Sequence, residues 1–420
     1  MSDLLRPPPF YELKRCCHKT ITPSPNMVVK VQSVELATVH STCVTKGAHR
    51  NMAQDLTLKG IPIGEKTSSS SWIQRERNFL LFLVAAFMLV GLTSGTPHIA
   101  MWVGFAFAGY SAIANDSIQT LGTFIASNAQ RPWWHQWLFM GGIFLATILY
   151  SWAQYDGDVS YQRLASKGFA TAPTEFHFLQ LAAPIFLLIL TRFKMPVSTT
   201  FLLLSCFAAS GKSILAMTTK SLGGYGIAFI GSILIWYAFG PLMKRAFKGK
   251  AHPGWRIAQW CSTGTLWSVW MMQDMANIAV FLPRSLSGGQ VTVFAGVIFL
   301  GLGVLFYKRG ERIQEVVTEK ADVTDVRSAT IIDLVYAVIL YIFKIKSQVP
   351  MSTTWVFIGL LGGRQLAWSL RALGPADRGT QLRTASKMVF KDLIYVSIGF
   401  IISLIIAALI NPVVGEALFE

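Results

Sequence analysis

From Phe79 to Asn411 the chain reads as a succession of apolar runs with short polar interruptions. The runs cover about 79–94, 98–128, 137–153, 176–193, 197–219, 224–243, 255–283, 290–307, 330–346, 351–370 and 389–411. Most are near the roughly 20 residues that a helix needs to cross a hydrocarbon core. The pattern predicts an all-α, polytopic membrane protein with about 10–12 transmembrane segments. Polar residues interrupt it at four informative places. The runs at 98–128 and 255–283 exceed one crossing and carry an aspartate in the middle, within "IANDSIQTLGT" (113–123) and "MQDMANIAVFLP" (272–283). Two other runs begin at a proline and three hydroxyl residues, "KMPVSTTFLLLS" (194–205) and "QVPMSTTWVFIG" (348–359).

Residues 1–77 differ in character. They hold Pro7, Pro8 and Pro9, a "TPSPN" cluster and a serine run from Ser68 to Ser71, with no apolar period long enough to bury a core. This predicts a disordered cytoplasmic tail. It lacks the basic start, apolar stretch and cleavage site of a signal peptide, and Met27 and Met52 are alternative starts.

Composition agrees with the pattern: of 420 residues, 52% are hydrophobic and only 14% charged, too apolar for an ordinary soluble protein of this length. The net charge of +16 does not form one stripe beside stacking aromatics, so nucleic acid is not the expected partner. Instead the basic residues lie in the tail and between apolar runs, as the positive-inside rule requires. With Arg75 and Arg77 inside, alternate crossings return Arg131 to the inside and send "YDGDVS" (155–160) outside. The connector "KRAFKGKAHPGWR" (244–256) and the loop from Lys308 to Arg327 then fall inside. The expected location is a plasma (inner) membrane, with the N-terminus cytoplasmic. The five cysteines (Cys16, Cys17, Cys43, Cys206 and Cys261) are odd in number and lack CxxC spacing, which indicates neither a disulfide framework nor a zinc site.

The polar interruptions form a duplication. In each half an aspartate flanked by amides, a broken helix, two apolar segments and then P-x-S-T-T follow in the same order. The assigned crossings run the Asp116 segment out to in and the Asp274 segment in to out. That predicts two inverted-topology repeats with broken helices and re-entrant helical hairpins, the architecture of many secondary transporters, whose sites lie at the midplane where the halves meet. The first transmembrane half is 78–243, with repeat 1 at about 98–219; the second is 257–420, with repeat 2 at about 257–371.

An aspartate at mid-membrane costs about 2.5–3.5 kcal/mol on insertion scales, so two at matching positions need a reason. Asn115 and Gln119 flank Asp116, and Gln273 and Asn277 flank Asp274. Carboxylate and amide oxygens, with carbonyls of an unwound backbone, make a hard-oxygen cage for a small cation, and the carboxylates equally suit a proton. Ser198, Thr199 and Thr200, and Ser352, Thr353 and Thr354, stand at helix starts, where unpaired N–H groups and hydroxyls suit an oxyanion. The fixed cations in view are few: Arg192 and Lys194 at a membrane edge, and Lys212 within a segment. An anion beside two carboxylates therefore requires mobile cations, and cation-coupled symport follows.

These residues resemble the inorganic phosphate transporter family, whose halves each carry G-A-N-D-V-A-N-A and P-V-S-T-T motifs. "IANDSIQT" matches the first signature at Ala114, Asn115 and Asp116, and "MMQDMANI" matches at Asp274, Ala276 and Asn277. "PVSTT" is identical and "PMSTT" has one conservative change. The resemblance covers about 98–371 and implies cotransport of inorganic phosphate with sodium or protons. On it, Ser198, Thr199, Thr200, Ser352, Thr353, Thr354, Gln119 and Asn277 are expected around phosphate. Asn115, Asp116, Gln273 and Asp274 are expected around the coupling cation, the two aspartates holding sodium if sodium is the ion. No cofactor is implied, and a homodimer is left open. Gln119 and Gln273 stand where the family has asparagine, one methylene shorter.

Sulfate or another tetrahedral oxyanion is the alternative substrate of the same fold, and a channel is a further reading. Two membrane aspartates also fit an intramembrane aspartyl protease, but that leaves the duplicated S-T-T motif unexplained. Gly359 and Gly363 read as a helix-packing pair, His98, His135 and His177 as interfacial residues.

Overall fold

A computed structural model describes residues 69–165, 169–193, 197–310, 325–346, 349–371 and 375–419. Most of the expected tail (1–68), with Cys16, Cys17 and Cys43, lies outside the described residues, as do Lys194, Pro196 and most of the 308–327 loop.

The described residues form thirteen α-helices and no strand. They are α1 (Ser69–Thr93), α2 (Pro97–Asn115), α3 (Ser117–Ser127), α4 (Trp133–Gln154), α5 (Phe178–Arg192), α6 (Thr199–Leu203) and α7 (Gly211–Ala246). There follow α8 (Gly254–Ala279), α9 (Gly288–Tyr307), α10 (Val326–Lys346), α11 (Thr353–Leu370), α12 (Pro375–Ile410) and α13 (Pro412–Phe419). A 3-10 turn, Leu204–Phe207, continues α6.

Six helices (α1, α4, α7, α9, α10 and α12) are long and apolar enough to cross a membrane. Their outer faces expose leucines such as Leu92, Leu234, Leu300 and Leu409, as lipid-facing positions should. The chain is thus an α-helical integral membrane protein. Helices α8 and α11 fall short of that hydropathy because they are interior: both are buried along most of their length and carry the polar residues of the duplicated motifs. On α8, Trp267 and Trp270 stack with ring centroids 5.0 Å apart and are almost wholly buried.

Packing reveals the duplication. Taking α2–α3, α4, α5, α6 and α7 as equivalent to α8, α9, α10, α11 and α12, several of the main contacts have counterparts. Helix α2 packs on α9 as α8 packs on α4; α2 packs on α5 as α8 packs on α10; α7 packs on α11 as α12 packs on α6. The self-equivalent pair, α4 and α9, also touches.

The helix ends sort onto two faces. On one, Glu76 near the start of α1 binds Arg192 at the end of α5 (2.6 Å), and Arg309 after α9 donates to Ala129 O after α3. Asn128 at the end of α3 reaches Gln259 near the start of α8 (2.8 Å), so α2–α3 and α8 run antiparallel. On the other face, Leu286 N after α8 donates to Gly157 O after α4 (2.9 Å). There Arg163 also donates to Val349 O, just past α10 (3.0 Å). Helix α6 therefore follows a segment ending on the first face, and α11 one ending on the second. This is the inverted arrangement.

Three expectations change. The run at 255–283 is not broken at its aspartate: α8 passes through Asp274 and ends at Ala279. At Asp116 the interruption is a tightening, not an unwinding. Asp116 keeps helical angles (φ −84°, ψ −35°), and the bonding passes from Asp116 N–Ala112 O to the shorter-range Gln119 N–Asp116 O. The runs at 197–219 and 224–243 are not two crossings. Their shared part is α7, 36 residues and about 54 Å long, which packs with α11 beyond the expected end of repeat 1 at 219. Close approach holds that pair together. A Cβ added at Gly359 would lie 2.7 Å from Tyr225 O, and one at Gly363 would collide with Phe229 O. Beside them Ser232 Oγ donates to Leu360 O (2.6 Å).

Candidate functional site

Both hydroxyl motifs build helix starts. Ser198 and Ser352 have extended backbone (ψ 114° and 105°), and each side chain accepts from the N–H three residues on, Phe201 N and Trp355 N, both at 3.3 Å. This is the standard N-cap bond, which satisfies one of the free amides of a first turn. Ser352 N in turn donates to Ser221 Oγ on α7 (2.8 Å). The extended, non-helical backbone expected at the aspartates is found here instead. Helix α6 has only five residues before its 3-10 turn, so the first motif presents hydroxyls and amides more than a long helix dipole.

The two starts meet. Thr200 Oγ1 donates to Met351 O (3.1 Å), and the rings of Phe201 and Trp355 lie 5.3 Å apart between centroids. Each start is linked to the aspartate segments. Gln119 Nε2 donates to Thr354 Oγ1 of the second motif (2.8 Å), and Asn277 Nδ2 to Thr200 Oγ1 of the first (3.3 Å). Asn115 Nδ2 donates to Val197 O (3.2 Å) and to Asp116 Oδ1 (2.9 Å), and Gln119 Nε2 also reaches Asp116 Oδ1 (3.4 Å). Across the pseudo-two-fold, Asn277 Nδ2 donates to Asp274 Oδ1 (2.8 Å). The Thr199 hydroxyl lies beside the Asp116 carboxyl and that of Thr353 beside Asp274, while the two carboxyls feel one another's charge. Gln273 departs from the pattern: its Nε2 turns to Leu340 O (2.9 Å).

All twelve residues singled out in the sequence are buried. Among them Gln119 Oε1, Gln273 Oε1, Asn277 Oδ1, Asp274 Oδ2 and the Thr199 hydroxyl have no hydrogen-bond partner among the described residues. Leaving a buried acceptor unsatisfied costs about 1–3 kcal/mol. Four of the five are carboxyl or amide oxygens that accept, so the fitting partner there is a cation or a ligand that donates protons, while the Thr199 hydroxyl can donate to an oxyanion as well. Together with the Thr hydroxyls, the donor set is hard oxygen throughout, as sodium coordination or protonation requires.

Three site features were not read from the sequence. Arg163 lies in the segment after α4 yet is wholly buried, its Nε donating to Met272 O (2.8 Å) and its Nη1 to Val349 O (3.0 Å). It interacts electrostatically with Asp274, and Lys220 donates to the same Val349 O. This corrects the charge inventory, which counted only Arg192, Lys194 and Lys212. The signal was an arginine in "YQRLAS", a loop with no apolar period to mark it as inward-folding. Tyr336 OH donates to Thr353 O (2.9 Å), steadying the second motif from α10. Asp333, also on α10, is a further buried acid.

No family model matches the chain, and no curated protein matches it. Among solved structures, "The sodium-dependent phosphate transporter" is similar at 17% identity and a TM-score of 0.46, over 74% of this chain and 99% of that one.

Proposed function

We propose that this protein carries inorganic phosphate across a membrane together with sodium ions or protons, by alternating access between its two halves. The observation that carries the reading is the meeting of two capped, hydroxyl-bearing helix starts, from opposite faces, between Asp116 and Asp274. Ser198, Thr199, Thr200, Ser352, Thr353 and Thr354 supply donors to the oxyanion, and Gln119 and Asn277 offer it their free amide oxygens as acceptors for its proton. Asn115, Asp116, Gln273 and Asp274 supply oxygens to the cation.

Charge supports coupling. Arg163 offsets at most one of the two carboxylates, so an added anion leaves an excess of negative charge that mobile cations must neutralise. The same acceptors favour hydrogen phosphate over sulfate, because hydrogen phosphate can donate to a carboxylate or amide oxygen and sulfate cannot. An enzymatic role for the aspartates would need one shared proton between them, whereas each is held separately by its own amides. In this reading the tail side of α1 faces the cytoplasm, in a plasma (inner) membrane.

Labelled phosphate uptake into proteoliposomes tests the proposal. Uptake should run against a phosphate gradient and collapse when the sodium and proton gradients are both removed. Uptake that persists with neither gradient sinks the coupling.

A further inference from the structure

Asp333 is 1% exposed, in the interior half of α10, and its carboxyl accepts from Thr123 Oγ1 of α3 (2.7 Å) and from Thr263 Oγ1 of α8. Neither hydroxyl can neutralise a charge. The repeat offers no counterpart: α5, the equivalent of α10, reads "FLQLAAPIFLLILTR" and holds no acid. Thr123 follows Asp116 by two turns, about 10 Å along α3, and Thr263 precedes Asp274 by three turns, about 16 Å along α8. Below them, toward the face where α3 ends, come Ser127, Asn128 and Gln259, with Asn128 Nδ2 bonded to Gln259 Oε1 (2.8 Å). Buried and half-buried polar side chains thus run from the paired aspartates to that face. In the opposite direction the stretches flanking the site, "MANIAVFL" of α8 and "PHIAMWVGFAFAG" of α2, are almost wholly apolar.

We propose that Asp333, with Thr123 and Thr263, is a further binding site for the coupling cation, a proton or a sodium ion, on a polar file joining the central aspartates to the face where α3 ends. The inference rests on the cation-coupled reading above. An ionised carboxylate at this depth needs a cation or a proton, and the file supplies the means of delivery. The described charged or titratable side chains of the elements packed on α10 are Asp116 before α3, Arg256, Cys261 and Asp274 on α8, Lys212, Lys220, Tyr225, Tyr237 and Arg245 on α7, and Arg364 on α11. On α10 itself they are Arg327, Tyr336, Tyr341, Lys344 and Lys346. Among the described residues, the hydrogen bonds to Asp333 come from the two threonines.

The test uses the full chain in proteoliposomes. Infrared difference spectra, taken on stepping pH or sodium without phosphate, should contain a carboxyl band that disappears in Asp333→Asn. In uptake, the slope of log rate against log cation should fall by about one in Asp333→Asn and return in Asp333→Glu. Thr263→Val should move the midpoint without changing the slope. A spectrum unaltered by Asp333→Asn, or a slope unaltered in uptake, overturns the proposal. If the band is lost while the wild type moves no phosphate, the phosphate reading fails and the cation site stands.

Discussion

Asp116 and Asp274 are each held by an amide that also touches the opposite hydroxyl motif, so a single side chain connects cation and anion chemistry. Gln119 bridges Asp116 to Thr354, and Asn277 bridges Asp274 to Thr200. Asp116→Asn and Asp274→Asn keep shape and remove charge. A charged hydrogen-bonding group is worth about 1.5–3 kcal/mol, which corresponds to about a ten- to hundredfold loss of uptake at fixed cation. Thermal unfolding in detergent should show the folded protein undiminished, since a buried carboxylate is weak support for stability. Equal uptake by either variant would remove that aspartate from the mechanism. Ser352→Ala deletes the cap on Trp355 N and should cost about 1 kcal/mol of stability, read as a lower unfolding midpoint.

Helices α7 and α11 show how one element's sequence serves another's position. The glycines of "IGLLGGRQ" let α11 lie against the α7 backbone, which fixes the depth at which Ser352, Thr353 and Thr354 begin. Gly363→Leu would drive a side chain into Phe229 O; overpacking of this kind costs about 1–3 kcal/mol. The expected result is a lower melting temperature and weaker phosphate binding together, whereas lost binding at unchanged stability would speak against a packing role. The small-xxx-small spacing was legible in the sequence because it is local. The length of α7 was not: the runs at 197–219 and 224–243 read as separate segments, but Gly224 rests near Val356 and Met351, and tertiary contact carries the helix through. Asp274 misled for the same reason. Its match to Asp116 implied a second broken helix, yet the tightening at Asp116 is not repeated in α8.

Across the molecule, what periodicity and duplication encode could be read directly: helices, inverted order, and the twelve residues that the fold gathers into one buried region. What escaped depends on long-range folding, and Arg163 is the instructive case. It leaves an interhelical segment, enters the protein and bonds two carbonyls that lie far from it in sequence, Met272 O on α8 and Val349 O ahead of the second motif. No local pattern could place it beside Asp274. Its presence changes the electrostatic argument from one of two bare carboxylates to one of partial compensation. An opposite charge nearby favours an ionised carboxylate. Removing it should therefore leave the site more dependent on mobile cations. Arg163→Gln, which retains donors for the two carbonyls, is expected to shift the half-saturating sodium or proton concentration about tenfold lower, because the uncompensated carboxylate holds a cation more tightly, while uptake at very low cation falls. Measuring uptake with sodium and pH varied independently separates the two ions. A wild-type cation dependence in Arg163→Gln would mean that this guanidinium only braces the backbone, and that the mobile cations alone balance the anion.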